Sequence, residues 1–311
     1  MSRPTTGDER PGAGGIGGLL RRWINAPGFH RPALRSLALG YLIVLVVVPT
    51  GGLAWSAFAD GPAAFFRYVT HPEALAALEL TLGLSLATAL LSAALGTIAA
   101  FALTRFRIPG RSFLDAVVDL PFVVPTAVGG LMVFTLYAPT GPLAGATEAL
   151  GLEVLYAKPG ILLALLLVCF PFTIRAVQPL LEGLDVAVEE ASATLGATRW
   201  QAFRWIVWPA IAPGVATGTL LSFARALGEF GTVVIVSGNL PYKTKLAAVY
   251  IYGEVESGRA VSAAAVSLLL VLLSAGLLFL SEWVLHRRRR RTVAPVVETG
   301  RVGGAAGEAN P

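Results

Sequence analysis

The sequence contains little charge, one cysteine and three histidines. Only 14% of its 311 residues are Asp, Glu, Lys or Arg, whereas 55% are hydrophobic, and this balance excludes an ordinary soluble domain. The single Cys169 excludes an intrachain disulfide framework and a multi-cysteine metal site, and its place in an apolar run is typical of a small buried residue. The histidines, at positions 30, 71 and 286, are too scattered to indicate a catalytic site.

A phosphate-binding motif is missing as well. The glycine-rich cradle that ends in Gly-Lys-Ser or Gly-Lys-Thr is absent, and the nearest sequence, GNLPYKT at 238–244, has Tyr242 in place of the glycine before Lys243. The chain is therefore expected to bind no cofactor or metal and to catalyse no reaction, so any ATP would be bound by a partner. The net charge of +5 does not indicate nucleic-acid binding, because the arginines lie at the edges of apolar runs.

Six apolar runs are present, each long enough to cross about 30 Å of hydrocarbon as a helix. They cover residues 36–58, 75–103, 116–137, 160–178, 209–236 and 260–284. Backbone groups in lipid must be hydrogen-bonded within the segment, and the runs lack the alternation of barrel strands. We therefore predict an all-α membrane protein with six transmembrane helices. The first run is followed by AFA at 57–59, which resembles a signal-peptidase site, but its length favours an uncleaved anchor.

The basic residues are unequally distributed between the two sides of the predicted spans. Fifteen fall on one side and five on the other, and the richer side should face the cytoplasm. The cytoplasmic set is 21, 22, 31, 35, 105, 107, 111, 175, 199, 204 and 287–291, and the outer set is 67, 158, 243, 245 and 259. We expect a disordered cytoplasmic tail over 1–30, a membrane domain over 31–286 and a basic, then disordered, cytoplasmic tail over 287–311.

The cytoplasmic loop between the fourth and fifth spans, about 185–209, has the pattern of two short helices. Asp185 to Leu195 is predicted to be the first, and Gly196 supplies the residue that most easily adopts a left-handed conformation after a helix. Thr198 and Gln201 fit a capping box at the start of the second.

An apolar stripe follows on the second helix, at Trp200, Phe203 and Val207, and Pro209 is expected to end that helix. By pattern alone, the stripe fits two functions equally well. It could lie on the membrane surface, as interfacial helices do, or it could dock onto a partner protein.

The same loop resembles the EAA loop of ATP-binding-cassette (ABC) importer permeases. The resemblance rests on Glu190-Ala191-Ser192, Gly196, Ile206 and Pro209 at the spacing of that motif, with Ser192 and Trp208 departing from its usual alanine and leucine. In that family the loop forms coupling helices that sit in a groove of the cytoplasmic ATPase. The resemblance implies an ATPase-coupling role for Glu189, Glu190, Ala191, Gly196, Trp200, Phe203, Ile206 and Pro209.

Other motifs narrow the resemblance to the T-type permease subunit of sulfate/thiosulfate importers, with molybdate/tungstate permeases as the nearest alternative. They are DLPFVVPTAVGG (119–130), VQPLLEGLD (177–185) and FARALGEFGTVVIVSGNLPYKT (223–244). The resemblance implies a type I ABC importer permease bundle in the cytoplasmic (inner) membrane. It also implies a second, W-type permease subunit, two copies of an ATP-binding subunit and an extracytoplasmic sulfate-binding protein as partners.

Two charges stand inside the predicted fifth span. Arg225 and Glu229 are four residues apart and so share a helix face. We expect them to pair, because an unpaired charge at this depth costs about 2.5–3.5 kcal/mol. The pair either lines the translocation path or is structural. Breaks at Pro121, Pro125 and Pro213 are expected to let the third and fifth helices bend.

A different class of protein also fits the charge pair. A proton-coupled secondary anion transporter could use Arg225 and Glu229 as a relay and would need no ATPase. Such transporters are commonly built from internal repeats, and none is visible between the two halves of this sequence. The EAA-like loop would also be left without a role, so the ABC permease is the favoured interpretation.

Overall fold

The computed structural model describes the backbone of residues 30–292 and the side chains of residues 34–279. Almost all of the predicted tails, 1–30 and 287–311, therefore lies outside the described residues. The regular elements within 30–292 are helices, and we number them along the chain. They are α1 (30–57), α2 (Pro62–Val69), α3 (Pro72–Arg105), α4 (Arg111–Val123), α5 (Thr126–Tyr137), α6 (Ala144–Ala149), α7 (Lys158–Glu182), α8 (Val186–Thr194), α9 (Arg199–Leu227), α10 (Gly231–Val236), α11 (Ala247–Glu256) and α12 (Ala260–Thr292).

Five of these helices are long and apolar enough to cross a membrane, and α4 with α5 makes a sixth if the bent pair is one span. The chain divides into two compact units, 1–56 and 57–311. In the first unit, α1 carries an apolar stretch over Leu34–Ala57. Its middle, Ile43–Val47, is a π-helical turn that comes directly before Val48 and Pro49.

Three long helices, α3, α7 and α9, form the centre of the second unit. Small residues let them approach closely: Thr173 of α7 lies between Gly96 of α3 and Gly218 of α9. A Cβ atom on Gly218 would stand 2.5 Å from the Cα atom of Thr173, so only glycine fits there. Ser92 and Ser222 add buried hydroxyl contacts at the same level, 3.1 Å apart. Close packing of small and hydroxyl-bearing residues is therefore what joins the three helices.

The predicted third span, 116–137, is a broken helix and not a continuous one. Helix α4 ends at Val123, α5 begins at Thr126, and the two axes meet at 112°. The break lies at Val124 and Pro125, because proline has no amide hydrogen and keeps the preceding residue extended, here at ψ 128°. The helix therefore breaks at Pro125, one of the three prolines for which the sequence analysis expects a break. Pro121 lies inside α4 and does not end it.

The predicted fifth span, 209–236, has different limits in the structure. Helix α9 begins at Arg199 and runs to Leu227, and residues 231–236 form the separate short helix α10, which packs against α5. The prediction that Pro209 ends the second helix of the loop is therefore wrong. Pro213 likewise lies inside α9 without breaking it.

A π-helical turn at Phe203–Val207 explains how α9 continues through Pro209. The turn widens the helix immediately before the proline, and the amide of Trp208 donates to the carbonyl of Phe203, five residues earlier. The wider turn relieves the clash between a proline ring and the carbonyl four residues before it. The same order of π-helical turn, one residue and proline occurs in α1 at Pro49, so the chain uses this solution twice.

Candidate functional site

The loop 185–209 contains the local structure that its sequence predicts. The carboxylate of Asp185 accepts a hydrogen bond from the amide of Ala187 (2.9 Å) and caps α8. Gly196 has φ +88°, a left-handed conformation that non-glycine residues rarely adopt. Thr198 and Gln201 form the reciprocal capping box at the start of α9. Two helices thus meet at a tight turn whose geometry depends on Gly196.

The aromatic residues of α9 divide between two directions. Val207 is buried and belongs to an apolar core with Ile211, whereas the side chain of Trp200 is 65% exposed. Phe203 lies between them and stacks on Trp200 with ring centroids 5.6 Å apart. The predicted stripe therefore does not form one docking face. Val207, its C-terminal residue, packs inside the protein, whereas Trp200, its N-terminal residue, faces outward. Ile206, also predicted for the coupling role, is half-buried.

A groove of about 310 Å³ runs between α8 and the start of α9. It is lined by Phe101 of α3 and by Glu189, Ala193, Ala197, Arg199, Ala202, Phe203 and Val207. The lining combines apolar side chains with two charged ones, a mixture that protein-docking surfaces also show. Ala191 and Pro209, also predicted for the coupling role, are exposed beside it.

The two adjacent acids of α8 have different surroundings. Glu189 is half-buried, and its Oε1 accepts a hydrogen bond from Nη2 of Arg105 at the end of α3 (2.5 Å). Glu190 is exposed, and no ion pair of its side chain is present within residues 34–279. The resemblance implied the same ATPase-coupling role for both acids. The structure instead places one acid against a membrane helix and leaves the other on the outside.

Arg225 and Glu229 form an ion pair at the end of α9, as their spacing predicts. Glu229 is only 2% exposed, and its Oε1 also accepts hydrogen bonds from the amide (2.9 Å) and hydroxyl (3.0 Å) of Thr232 in the first turn of α10. Its negative charge is therefore placed at a helix N-terminus, where it is favoured. The Arg225 side chain remains 31% exposed. Glu229 therefore joins the end of α9 to α10, and of the two charged side chains only that of Arg225 is partly exposed.

A charge network on α4 and α7 was missed by the sequence analysis. Nε of Arg175 donates to Asp119 (2.7 Å), and its Nη2 donates to the backbone carbonyl of Asp115 (2.9 Å). Gln178 accepts from Nη1 of the same arginine (2.8 Å). Arg175 was counted on the cytoplasmic side of the predicted spans, and in the structure it lies inside α7. The only sequence signal was the four-residue spacing of the aspartates in α4.

Two basic residues, one directly before α11 and one directly before α12, are paired as well. Lys245 donates to Glu73 (2.8 Å), and Arg259 donates twice to Glu254. These hydrogen bonds from Arg259 lower the pKa of the Glu254 carboxyl below its ordinary value. Lys245 and Arg259 are therefore committed to acids of the same chain and are not free cations for a passing anion.

This architecture is that of a multi-pass helical membrane transport protein, with a broken span, a buried charge pair and a two-helix loop at one end. Residues 92–290 match the family described as "Binding-protein-dependent transport system inner membrane component", and the chain belongs to that family. It is a transport subunit and not an enzyme.

Relatives of known name resemble the chain over most of its length. It is 36% identical over 267 residues to the sulfate transport system permease protein CysT of Escherichia coli, covering 86% of this chain and 96% of the relative. It is also 36% identical over 255 residues to the probable sulfate transport system permease protein of Nephroselmis olivacea, covering 82% of this chain and 90% of that relative.

A solved structure confirms the fold. The structure of a bacterial ABC transporter that imports the acidic polysaccharide alginate superposes with a TM-score of 0.70 at 20% identity, covering 88% of this chain and 98% of that one. The helical bundle therefore has the same fold as the matched chain of that transporter.

Proposed function

We propose that the chain is the transmembrane permease subunit of an ATP-driven importer that carries sulfate or thiosulfate into the cytoplasm. The observation that carries this proposal is the similarity, over more than four fifths of the chain, to permeases named for sulfate transport in Escherichia coli and Nephroselmis olivacea. The structure adds a reason to expect weak substrate binding, since Lys245 before α11 and Arg259 before α12 are both paired with acids. Substrate would then be captured by a separate binding protein and handed to a shallow path.

Uptake of labelled sulfate into cells that lack their own sulfate importer tests this proposal. The chain, expressed with its proposed partners, should restore uptake, and excess unlabelled thiosulfate should compete whereas molybdate should not. The control is the same strain with the chain omitted. Competition by molybdate alone would transfer the assignment to molybdate permeases, and uptake that persists without ATP but collapses with the proton gradient would indicate a secondary transporter.

We propose three kinds of partner for the complex. A second, W-type permease subunit completes the pathway, two copies of a cytoplasmic subunit bind ATP, and an extracytoplasmic protein delivers sulfate. Support comes from the family description and from a solved alginate transporter in complex with its substrate-bound periplasmic protein. The chain itself would bind no cofactor and no nucleic acid.

We propose that the loop 185–209 receives the ATPase. Its exposed side chains include Glu190 on α8 and Trp200 on α9, and the groove belongs to the same loop. Exposed aromatic side chains beside an acidic rim are typical of a protein-docking surface. The membrane-surface alternative is less favoured, because an interfacial helix needs one continuous apolar face, and here Val207 is turned into the core.

We propose that Arg225 lines the translocation path and that Glu229 holds the path open by fixing α10. The partial exposure of Arg225 and the burial of Glu229 support this division. The break at Pro125 supports a role in bending, because it lets α5 change direction relative to α4.

The orientation proposed from the basic residues places both termini and the loop 185–209 in the cytoplasm. A cysteine at Ala202, which lines the groove, should resist impermeant thiol reagents added to intact cells. A cysteine at the exposed Ala63 of α2 is the control and should be labelled. Native Cys169 is buried and adds no background. The reverse labelling pattern would overturn the orientation and the docking proposal with it.

A further inference from the structure

Helix α8 is attached to the rest of the chain by few contacts. None of its residues is buried. The carboxylate of Asp185 accepts a hydrogen bond from the amide of Ala187, and the hydroxyl of Ser192 donates to the carbonyl of Glu189. Both hydrogen bonds stay within the loop 185–209. Hydrophobic packing therefore does not fix this helix on the membrane bundle. A movement of α8 reaches the bundle through polar contacts or through the chain itself.

One ion pair joins α8 to a membrane helix. Arg105 is the last residue of α3, and its contact with Glu189 is the one ion pair of α8 within residues 34–279. The two side chains are only 15% and 27% exposed, so water screens their attraction less than it would screen a surface pair. Nε of Arg105 is buried and has no hydrogen-bond partner, so the guanidinium depends on Glu189.

Helix α3 is suited to carry a displacement away from this contact. It is continuous over 34 residues, from Pro72 to Arg105, and packs along α7 and α9. Its polar face meets α9 at Ser92, which contacts Ser222, three residues before Arg225. Helix α3 thus contacts α8 at its end and approaches the proposed path near its middle. It is a physical link between the docking loop and the path.

We propose that Arg105 is a positioning residue whose ion pair with Glu189 passes the movement of α8 to α3 and so couples ATP hydrolysis to opening of the path. This inference rests on the proposed function, because it requires α8 to receive the ATPase. The two adjacent acids then have separate roles. Glu189 faces inward and pulls on α3, and Glu190 faces outward toward the ATPase.

The test compares three variants with a matched control in the complete complex. Arg105→Ala and Glu189→Gln each remove the ion pair, and the exchange Arg105→Glu with Glu189→Arg restores it in reverse. Arg107→Ala is the control, since Arg107 is an exposed arginine two residues beyond Arg105, in the connection between α3 and α4. Three quantities are measured: membrane-inserted protein, recovery of the ATPase subunit in a pull-down, and sulfate transported per ATP hydrolysed.

We expect each single variant to keep the ATPase subunit but to lower sulfate transported per ATP about tenfold, in the range of measured coupling energies. The exchange should recover most of that loss, and the control should match the wild type. Wild-type coupling in the single variants would overturn the proposal, as would loss of the ATPase subunit in parallel with transport or an exchange no better than the single variants. If Arg105→Ala does not insert, Glu189→Gln, which keeps the side-chain shape, decides alone. Failure of the wild type to bind the ATPase or transport sulfate would instead reject the proposed function.

Discussion

Glu229→Ala is expected to remove most of the folded, membrane-inserted protein, whereas Glu229→Gln should retain the fold. Alanine leaves Arg225 without its partner and leaves the amide and hydroxyl of Thr232 without an acceptor. Breaking a buried pair from one side costs about 3 kcal/mol or more, which is a large part of the stability of a typical protein. Glutamine keeps one carbonyl oxygen for the amide and hydroxyl of Thr232, but its NH2 group replaces the oxygen that accepts from Arg225, so the charge and that one hydrogen bond are lost.

Detergent extraction followed by size-exclusion chromatography measures this effect as the yield of monodisperse protein. Glu148→Ala, at an exposed position in α6, is the matched control and should behave as the wild type. A Glu229→Ala variant as abundant and as thermostable as the wild type would show that the carboxylate does not hold α10.

The contacts of Glu229 also change what a charge exchange can reveal. Exchanging Arg225 and Glu229 would preserve their net charge, but an arginine at 229 has no acceptor for the Thr232 amide. The exchange is therefore expected to fail for structural reasons, whether or not Arg225 faces the substrate. Arg225→Lys is the more informative variant, because it keeps the charge and the position while changing the geometry offered to an anion.

Gly218→Val is expected to disrupt the central three-helix packing. Its Cβ atom would stand 2.5 Å from the Cα atom of Thr173, and backbone atoms in the middle of α7 cannot move aside as a flexible side chain would. Overpacking of a core typically costs about 1–3 kcal/mol, and this site lies at the upper end because the obstacle is main chain. We expect a clearly lower temperature of thermal unfolding and little transport.

Gly83→Val is the matched control for this substitution. Gly83 lies in the membrane helix α3, and nothing stands within 4 Å of the position that its Cβ would occupy. Valine there should leave stability unchanged or raise it slightly, since glycine is the poorer helix former. Equal effects of the two substitutions on the unfolding temperature would mean that α7 and α9 do not approach as closely as the structure indicates.

Local features of the site followed from the sequence because they depend on neighbouring residues alone. The left-handed Gly196, the Thr198–Gln201 capping box and the break at Pro125 are each determined by a few adjacent residues. The apolar runs likewise predicted the membrane helices, since about 20 hydrophobic residues are required to cross the bilayer. The family motifs extended these local features to the whole bundle.

Features that depend on distant parts of the chain were not predictable. Pro209 is a local signal for a helix end, but the π-helical turn before it lets α9 continue. The pairing of Arg175 with Asp115 and Asp119 requires knowledge that α4 lies beside α7. The different roles of Glu189 and Glu190 depend on where α3 ends, because only one of two adjacent helix positions can face it.

The central claim is that this chain imports sulfate when a partner ATPase acts on the loop 185–209. The most direct measurement is ATP hydrolysis by the complete complex in proteoliposomes, with the sulfate-loaded binding protein supplied on the outer side. Gly196→Val is measured in parallel. Valine at φ +88° costs about 1–2 kcal/mol of backbone strain, and its Cβ meets no atom within 4 Å, so the substitution changes the turn without a steric clash.

We predict that sulfate-loaded binding protein stimulates the wild-type ATPase and that Gly196→Val inserts normally but loses this stimulation. Binding protein loaded with molybdate should stimulate neither. Sulfate uptake without stimulated hydrolysis, or full stimulation in Gly196→Val, would contradict the account.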